Sequence, residues 1–224
     1  MTLGEYLKTD HNTWSIILQI REKERASLNK QRIEAFSDGV YAIVITLLVL
    51  DIRIPEIKPA VLGITLIGLL PQIAAYIMSF FVVGLYWHAH HLALAQMKKI
   101  NSTFIWINLI WLLFISVLPF PTALLGRYTF QPISLTIYGI NLILANVTGF
   151  FITVYLKNHP ELCVTTISSS AVRAQVPIYV VVNGLYAVAI GLAWFLPWLS
   201  LCVYFLVLAW MITVFVRTED AFES

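Results

Sequence analysis

The chain has 224 residues, 59% of them hydrophobic and only 12% charged, with a formal net charge of +2. An average soluble domain is about 25% charged, so this composition excludes a water-soluble globule, and the near-neutral balance leaves no basic footprint for nucleic acid. The informative units are the charge-free intervals: no Asp, Glu, Lys or Arg lies between Lys58 and Lys98, Lys99 and Arg127, Arg127 and Lys157, or Arg173 and Arg217.

In chain order, the first decision concerns residues 1–31. Trp14 to Ile20 is apolar, but it is short, is followed by charges and lacks a small-residue cleavage site, which argues against a signal peptide. The stretch 13–31, TWSIILQIREKERASLNKQ, reads as an amphipathic cytoplasmic helix opened by Asn12 or Thr13 as cap, serving either as an organised docking helix or as a solvated charged lead-in. A bilayer crossing needs about 20 apolar residues. On that measure the pattern predicts six spans at 33–51, 71–96, 102–124, 132–156, 175–196 and 198–216, the last two separated by Phe195-Leu196-Pro197-Trp198. Ala60 to Leu70 is apolar but too short to cross, and Gly63, Gly68 and Pro71 interrupt it, so it is expected to lie at the membrane interface.

An even number of spans puts both termini on one side. That side holds Lys8, Arg21, Lys23, Arg25, Lys30, Arg32, Lys98, Lys99, Lys157, Arg173 and Arg217, against Arg53, Lys58 and Arg127 opposite, which is 11 of the 14 basic residues. The excess of basic residues marks the cytoplasmic side. Both termini, including the tail 218–224, are therefore expected in the cytoplasm.

The two cysteines form no framework: Cys163 falls in a predicted cytoplasmic loop and Cys202 in the last span. Asn101-Ser-Thr103 and Asn146-Val-Thr148 match the glycosylation pattern but lie at the cytoplasmic side and inside a span, so both are chance matches. Two polar features remain inside apolar segments: Asp38, with Arg32 just before it, and Trp-His-Ala-His-His at 87–91. Ionisable groups in a membrane are costly and face protein, a partner or water, which makes them functional candidates. A metal enzyme would need more ligands than one His-x-His-His cluster supplies, so neither a metal nor another cofactor is expected, nor an enzymatic activity.

On a helix advancing about 100° per residue, Ile43, Leu47 and Leu50 share a narrow stripe with Thr46 beside it. Such a stripe serves packing, lipid contact or a hydrophobic constriction that gates by dewetting. Asp38 sits roughly 140° from Ile43 and points elsewhere. Arg32 and Asp38, six residues apart, are outside the pairing geometry of one helix and must find partners on other helices. The small residues Ser37, Gly39 and Ala42 allow close lateral approach. Trp106, Trp111, Trp194, Trp198 and Trp210 read as interface anchors or packing.

Arg32, the run FSDGVYAIVITLLVLDI from Phe36, and Trp87 with the histidines after it resemble the bacterial members of the transmembrane protein 175 family, relatives of the endolysosomal potassium channel of animals. The resemblance extends over the six-span layout. It implies an all-α integral membrane channel, a homotetramer of six-span subunits in which the first helix lines a central pore, with residues 32–217 as the channel domain. It further implies a lumen constricted at Ile43, Thr46, Leu47 and Leu50, permeant potassium near Thr46 and Ile43, and a bracing network of Arg32, Ser37, Asp38, Trp87 and one of the histidines, His90 or His91 rather than His88. No TVGYG-type filter occurs in the sequence, in keeping with that family. The expected partners are the lipid bilayer, monovalent cations and three further copies of the chain, in a bacterial cell membrane. The competing reading is a proton-coupled secondary transporter using Asp38 and the second-span histidines as a relay; the sequence shows no inverted repeat to support it. A scaffold without transport activity is the third.

Overall fold

The computed structural model describes residues 29–53, 55–56 and 59–223. Among the described residues, six helices are long and apolar enough to cross a membrane: Asn29–Leu50, Leu70–Ala95, Ser102–Arg127, Pro132–Asn158, Val172–Ala193 and Pro197–Arg217. They match the six expected spans to within a few residues. The first begins earlier than predicted, so residues 29–31 belong to it and the boundary expected at 31/32 falls inside a helix; the rest of the expected amphipathic segment lies outside the described residues. At the other end the last helix runs to Glu223, through most of the expected tail.

We label the helices α1 (Asn29–Leu50), α2 (Leu62–Gly68), α3 (Leu70–Ala95), α4 (Ser102–Val117), α5 (Pro119–Arg127), α6 (Pro132–Asn158), α7 (Ser169–Ala193) and α8 (Pro197–Glu223). The third span, predicted as continuous, is divided at Leu118. Pro119 and Pro121 have no N–H to donate, which interrupts the ladder, while Leu118 itself keeps helical dihedrals and accepts from Thr122 N at 3.1 Å. The segment expected at the interface forms α2, a helix with no buried residue.

The core sits around α6, which packs against α4, α5, α7 and α8, while α3 packs against α5 and α8. Two glycines on α6 explain how bulky side chains enter. A Cβ at Gly149 would lie inside the ring of Trp111, and one at Gly139 would collide with the hydroxyl of Tyr204 and with Ile190. These backbones approach where a side chain would forbid it.

The α3–α4 and α6–α7 loops are tied to each other. Lys98 N and Lys99 N donate to Leu162 O at 2.8 and 3.2 Å, and Val164 N donates to Gln96 O at 2.8 Å. Cys163 lies buried within this clamp, where burial pushes its thiol pKa up and the nearby Lys98 partly opposes the shift. Cys163 and Cys202 are both free. Asn101 caps α4, accepting from Phe104 N at 2.9 Å and donating to Tyr155 OH at 2.8 Å.

Candidate functional site

Helix α1 carries three stripes. Ser37, Tyr41, Val44 and Leu48, spaced four, three and four residues apart, are all buried, as expected of one face of a helix. Ile43, Leu47 and Leu50 lie about 120° around the helix from them and are 59%, 42% and 64% exposed. Phe36, two turns before Ile43, lies on the same open stripe and is 51% exposed; the sequence singled it out for its motif and not as part of this stripe. Asp38 occupies the opposite flank of the buried face and is exposed in the subunit.

Polar side chains fasten the buried stripe to α3 and α4. Asn108 Nδ2 donates to Ser37 Oγ at 3.3 Å, and its Oδ1 lies 2.5 Å from His90 Nε2, which therefore carries the proton. The hydroxyl of Tyr41 donates to the carbonyl of Tyr86 at 3.2 Å and accepts from Trp111 Nε1 at 2.5 Å. Tyr86 in turn donates to Leu142 O at 3.3 Å on α6, its ring edge-on to Trp111. All these side chains are buried, and inside a membrane a missing partner would be costly. They hold α1 in one rotation about its own axis.

Asp38 is held separately. Trp87 Nε1 donates to its Oδ1 at 2.9 Å, and the indole stacks on His91 with ring centroids 5.8 Å apart. The network expected to join Arg32, Asp38 and a histidine does not close within the subunit. Asp38 takes the Trp87 indole, His90 takes Asn108, and Arg32 is exposed with no ion pair among the described residues, where the recorded pair is Lys30 to Glu34 at 3.5 Å. The six-residue spacing is the reason: Arg32 and Asp38 leave the helix on different sides. Ser37, expected as a small packing residue and a network member, belongs to the His90 set instead of the Asp38 set.

Sequence reasoning missed Asn108, Tyr41 and Tyr86, and it took Trp111 for packing. Asn108 carried a usable signal, an amide in the middle of an apolar span. The tyrosines carried none, because a tyrosine in a membrane segment reads equally well as an interface anchor.

Thr46, beside the open stripe, donates its hydroxyl proton to Ile43 O at 2.8 Å, one turn back on its own helix. Its oxygen then presents lone pairs outward. The open face of α1 is thus a row of branched apolar side chains flanked by one acceptor oxygen.

Comparison with known proteins agrees with this architecture. Residues 32–119 match the family described as the endosomal/lysosomal potassium channel TMEM175. A potassium channel of Chryseobacterium is 34% identical over 187 residues, covering 83% of this chain and 94% of that protein. The endosomal/lysosomal proton channel TMEM175 of Mus musculus is 40% identical over 118 residues, 48% of this chain and 23% of the animal protein. Among solved structures, the crystal structure of a lysosomal potassium-selective channel TMEM175 homolog from Chamaesiphon minutus superposes with a TM-score of 0.71 at 29% identity, covering 83% of this chain and 97% of that one. A relative 34% identical and matched over nearly its whole length establishes that the chain belongs to the TMEM175 family.

Proposed function

We propose that this multi-pass membrane protein is the subunit of a passive, potassium-permeable channel, four copies of which enclose a central pore lined by α1. The observation that carries the reading is the open stripe. Ile43, Leu47 and Leu50 stand away from the subunit core on a helix whose rotation is locked by buried hydrogen bonds. Family membership supports it, since the bacterial relatives bear the name of potassium channel.

One first helix cannot enclose a pore, and closed cyclic symmetry is the common solution. In such a tetramer the stripe forms apolar rings with no oxygen to replace an ion's hydration shell, so the closed pore is dry and conduction requires the rings to widen and wet. Thr46, whose lone pairs face outward, is the group that touches a partly dehydrated potassium ion. Asp38, Trp87 and His91, exposed in the single subunit, lie on the flank that faces a neighbouring copy. Lys98 and Lys99 of the α3–α4 loop, with Lys157 and Arg173 flanking the α6–α7 loop that is clamped to it, share one end with the start of α1, which by the positive-inside rule supports cytoplasmic termini in a bacterial cell.

The test is flux from liposomes containing the purified protein under a potassium gradient, with the detergent-solubilised mass measured in parallel. Potassium flux without proton or sodium requirement, from a species of four chains, is expected. Strict coupling to protons would favour the carrier reading, to which the animal relatives' name of proton channel lends a specific interest. A monomeric or dimeric active species would refute the pore geometry.

A further inference from the structure

Helix α4 carries an exposed apolar stripe of its own. Trp106, Ile110, Leu113 and Val117 are spaced four, three and four residues apart, so they share one face, and all four are exposed. The opposite face, with Asn108 and Ile115, is buried against the rest of the subunit. At about 1.5 Å per residue the stripe rises about 16 Å. That is close to one leaflet, half of a hydrocarbon core about 30 Å thick.

The loop leading into α4 sets charge at the near end of the stripe. Met97 and Cys163 form an isolated antiparallel bridge, and both are buried. Side chains alternate along extended backbone, so Lys98 is turned outward, and Lys98 and Lys99 are both exposed. Their backbone N–H groups are held by Leu162 O, which fixes the height of the pair against α6. The one acid in residues 96–101 and 159–168 is Glu161, and neither lysine has an ion pair among the described residues. Asn101 caps α4 two residues after Lys99, and Trp106 follows at the start of the next turn, the depth at which an indole sits at a membrane interface.

We propose that Lys98 and Lys99, with the α4 stripe from Trp106 to Val117, form a binding site for one anionic phospholipid, its phosphate at the lysines and an acyl chain along the stripe. Lysines at the end of a membrane helix attract anionic headgroups, and their long stems reach outward along apolar surface while the ammonium stays at the headgroup level. A free phosphate would use the lysines and leave the stripe untouched, whereas a lipid uses both. A second copy of the chain fits the stripe less well, because parallel copies in one membrane would bring their Lys98 and Lys99 to the same depth, like charge beside like charge. The site depends on the helices spanning a bilayer and on nothing they conduct, so its fate is separate from that of the channel reading.

The experiment follows the thermal unfolding midpoint of the full chain, purified in detergent, as dioleoyl phosphatidylglycerol or dioleoyl phosphatidylcholine is added. Saturable stabilisation by the phosphatidylglycerol, beyond that by the phosphatidylcholine and weakened by salt, is expected. The double variant Lys98→Gln/Lys99→Gln should raise the half-saturating phosphatidylglycerol fraction about tenfold or more, while Lys98→Arg/Lys99→Arg keeps the wild-type value. Dihexanoyl phosphatidylglycerol, with the same headgroup on short chains, and sodium phosphate should each stabilise far less. Leu113→Gln, in the middle of the stripe, should raise the half-saturating fraction several-fold, and it decides the matter together with the chain-length comparison if the glutamine pair does not fold. Identical phosphatidylglycerol titrations for wild type and the glutamine pair would mean that bulk lipid or a second copy covers the stripe, and would overturn the proposal. So would equal stabilisation by the two long-chain lipids, or by phosphate alone.

Discussion

Asp38 shows how context sets the worth of a charge. As half of a buried ion pair, its loss would cost about 3–5 kcal/mol; exposed in the subunit and bonded to an indole, it is worth less. Hydrogen bonds to charged groups contribute about 1.5–3 kcal/mol, and exposure puts this one at the low end. Asn108, by contrast, is buried and holds both Ser37 and His90, so its removal strands two buried polar groups at about 1–3 kcal/mol each. The expected order in thermal unfolding of the purified protein is therefore Asn108→Leu well below Trp87→Phe, with Trp87→Phe close to wild type. The reverse order would show that the Asp38 layer carries the fold.

Residues on the open stripe are tested by current. Asn at Ile43 or Leu47 should raise conductance or open probability in planar bilayers and weaken discrimination among monovalent cations, because a polar ring lowers the wetting barrier. Thr46→Val should alter selectivity more than assembly. Val44, in the buried stripe, is the control: Val44→Asn puts an amide into the subunit core and should reduce folded yield instead of changing selectivity. Large selectivity changes from position 44 with none from 43 and 47 would place the pore on another face.

Among whole elements, α6 is the one against which most others pack, and its glycines are the vulnerable points. Gly149→Ala drives a methyl into the rigid ring of Trp111, and overpacking of this kind costs about 1–3 kcal/mol. Trp111 also donates to Tyr41, so the displacement should propagate to α1: a lowered unfolding midpoint together with altered channel current is expected, and a midpoint equal to wild type would show that α6 and α4 separate easily. The clamp between the α3–α4 and α6–α7 loops offers a pH readout. The thiol of Cys163 has a raised pKa through burial, so less thiolate, the reactive form, is present at neutral pH than in a free cysteine. In a Cys202→Ala background, alkylation should be slow at neutral pH and accelerate as the pH rises into the alkaline range. Fast, pH-independent labelling would mean that the clamp is open in solution.

For the molecule as a whole, the arrangement of its ends makes a topological prediction. Single cysteines replacing Lys98 and Arg127, in a background lacking native cysteines, should be respectively shielded from and labelled by an impermeant thiol reagent applied to intact cells. Labelling of both from outside would sink the six-span orientation.

The sequence by itself determined the membrane class, the six spans and the break at Phe195–Pro197, because hydrocarbon imposes a length and a charge limit on every crossing, and those limits are local properties of the chain. The stripe of Ile43, Leu47 and Leu50 was legible for the same reason, since its residues belong to one helix with a known period. Only the tertiary structure decided that Asp38 pairs with Trp87, that His90 pairs with Asn108, and that Arg32 joins neither within the subunit. Those partners lie 49 and 18 residues apart in the chain, and their meeting depends on the rotation and height of one helix against another. Helical periodicity says which face a residue occupies and is silent about which neighbour that face meets.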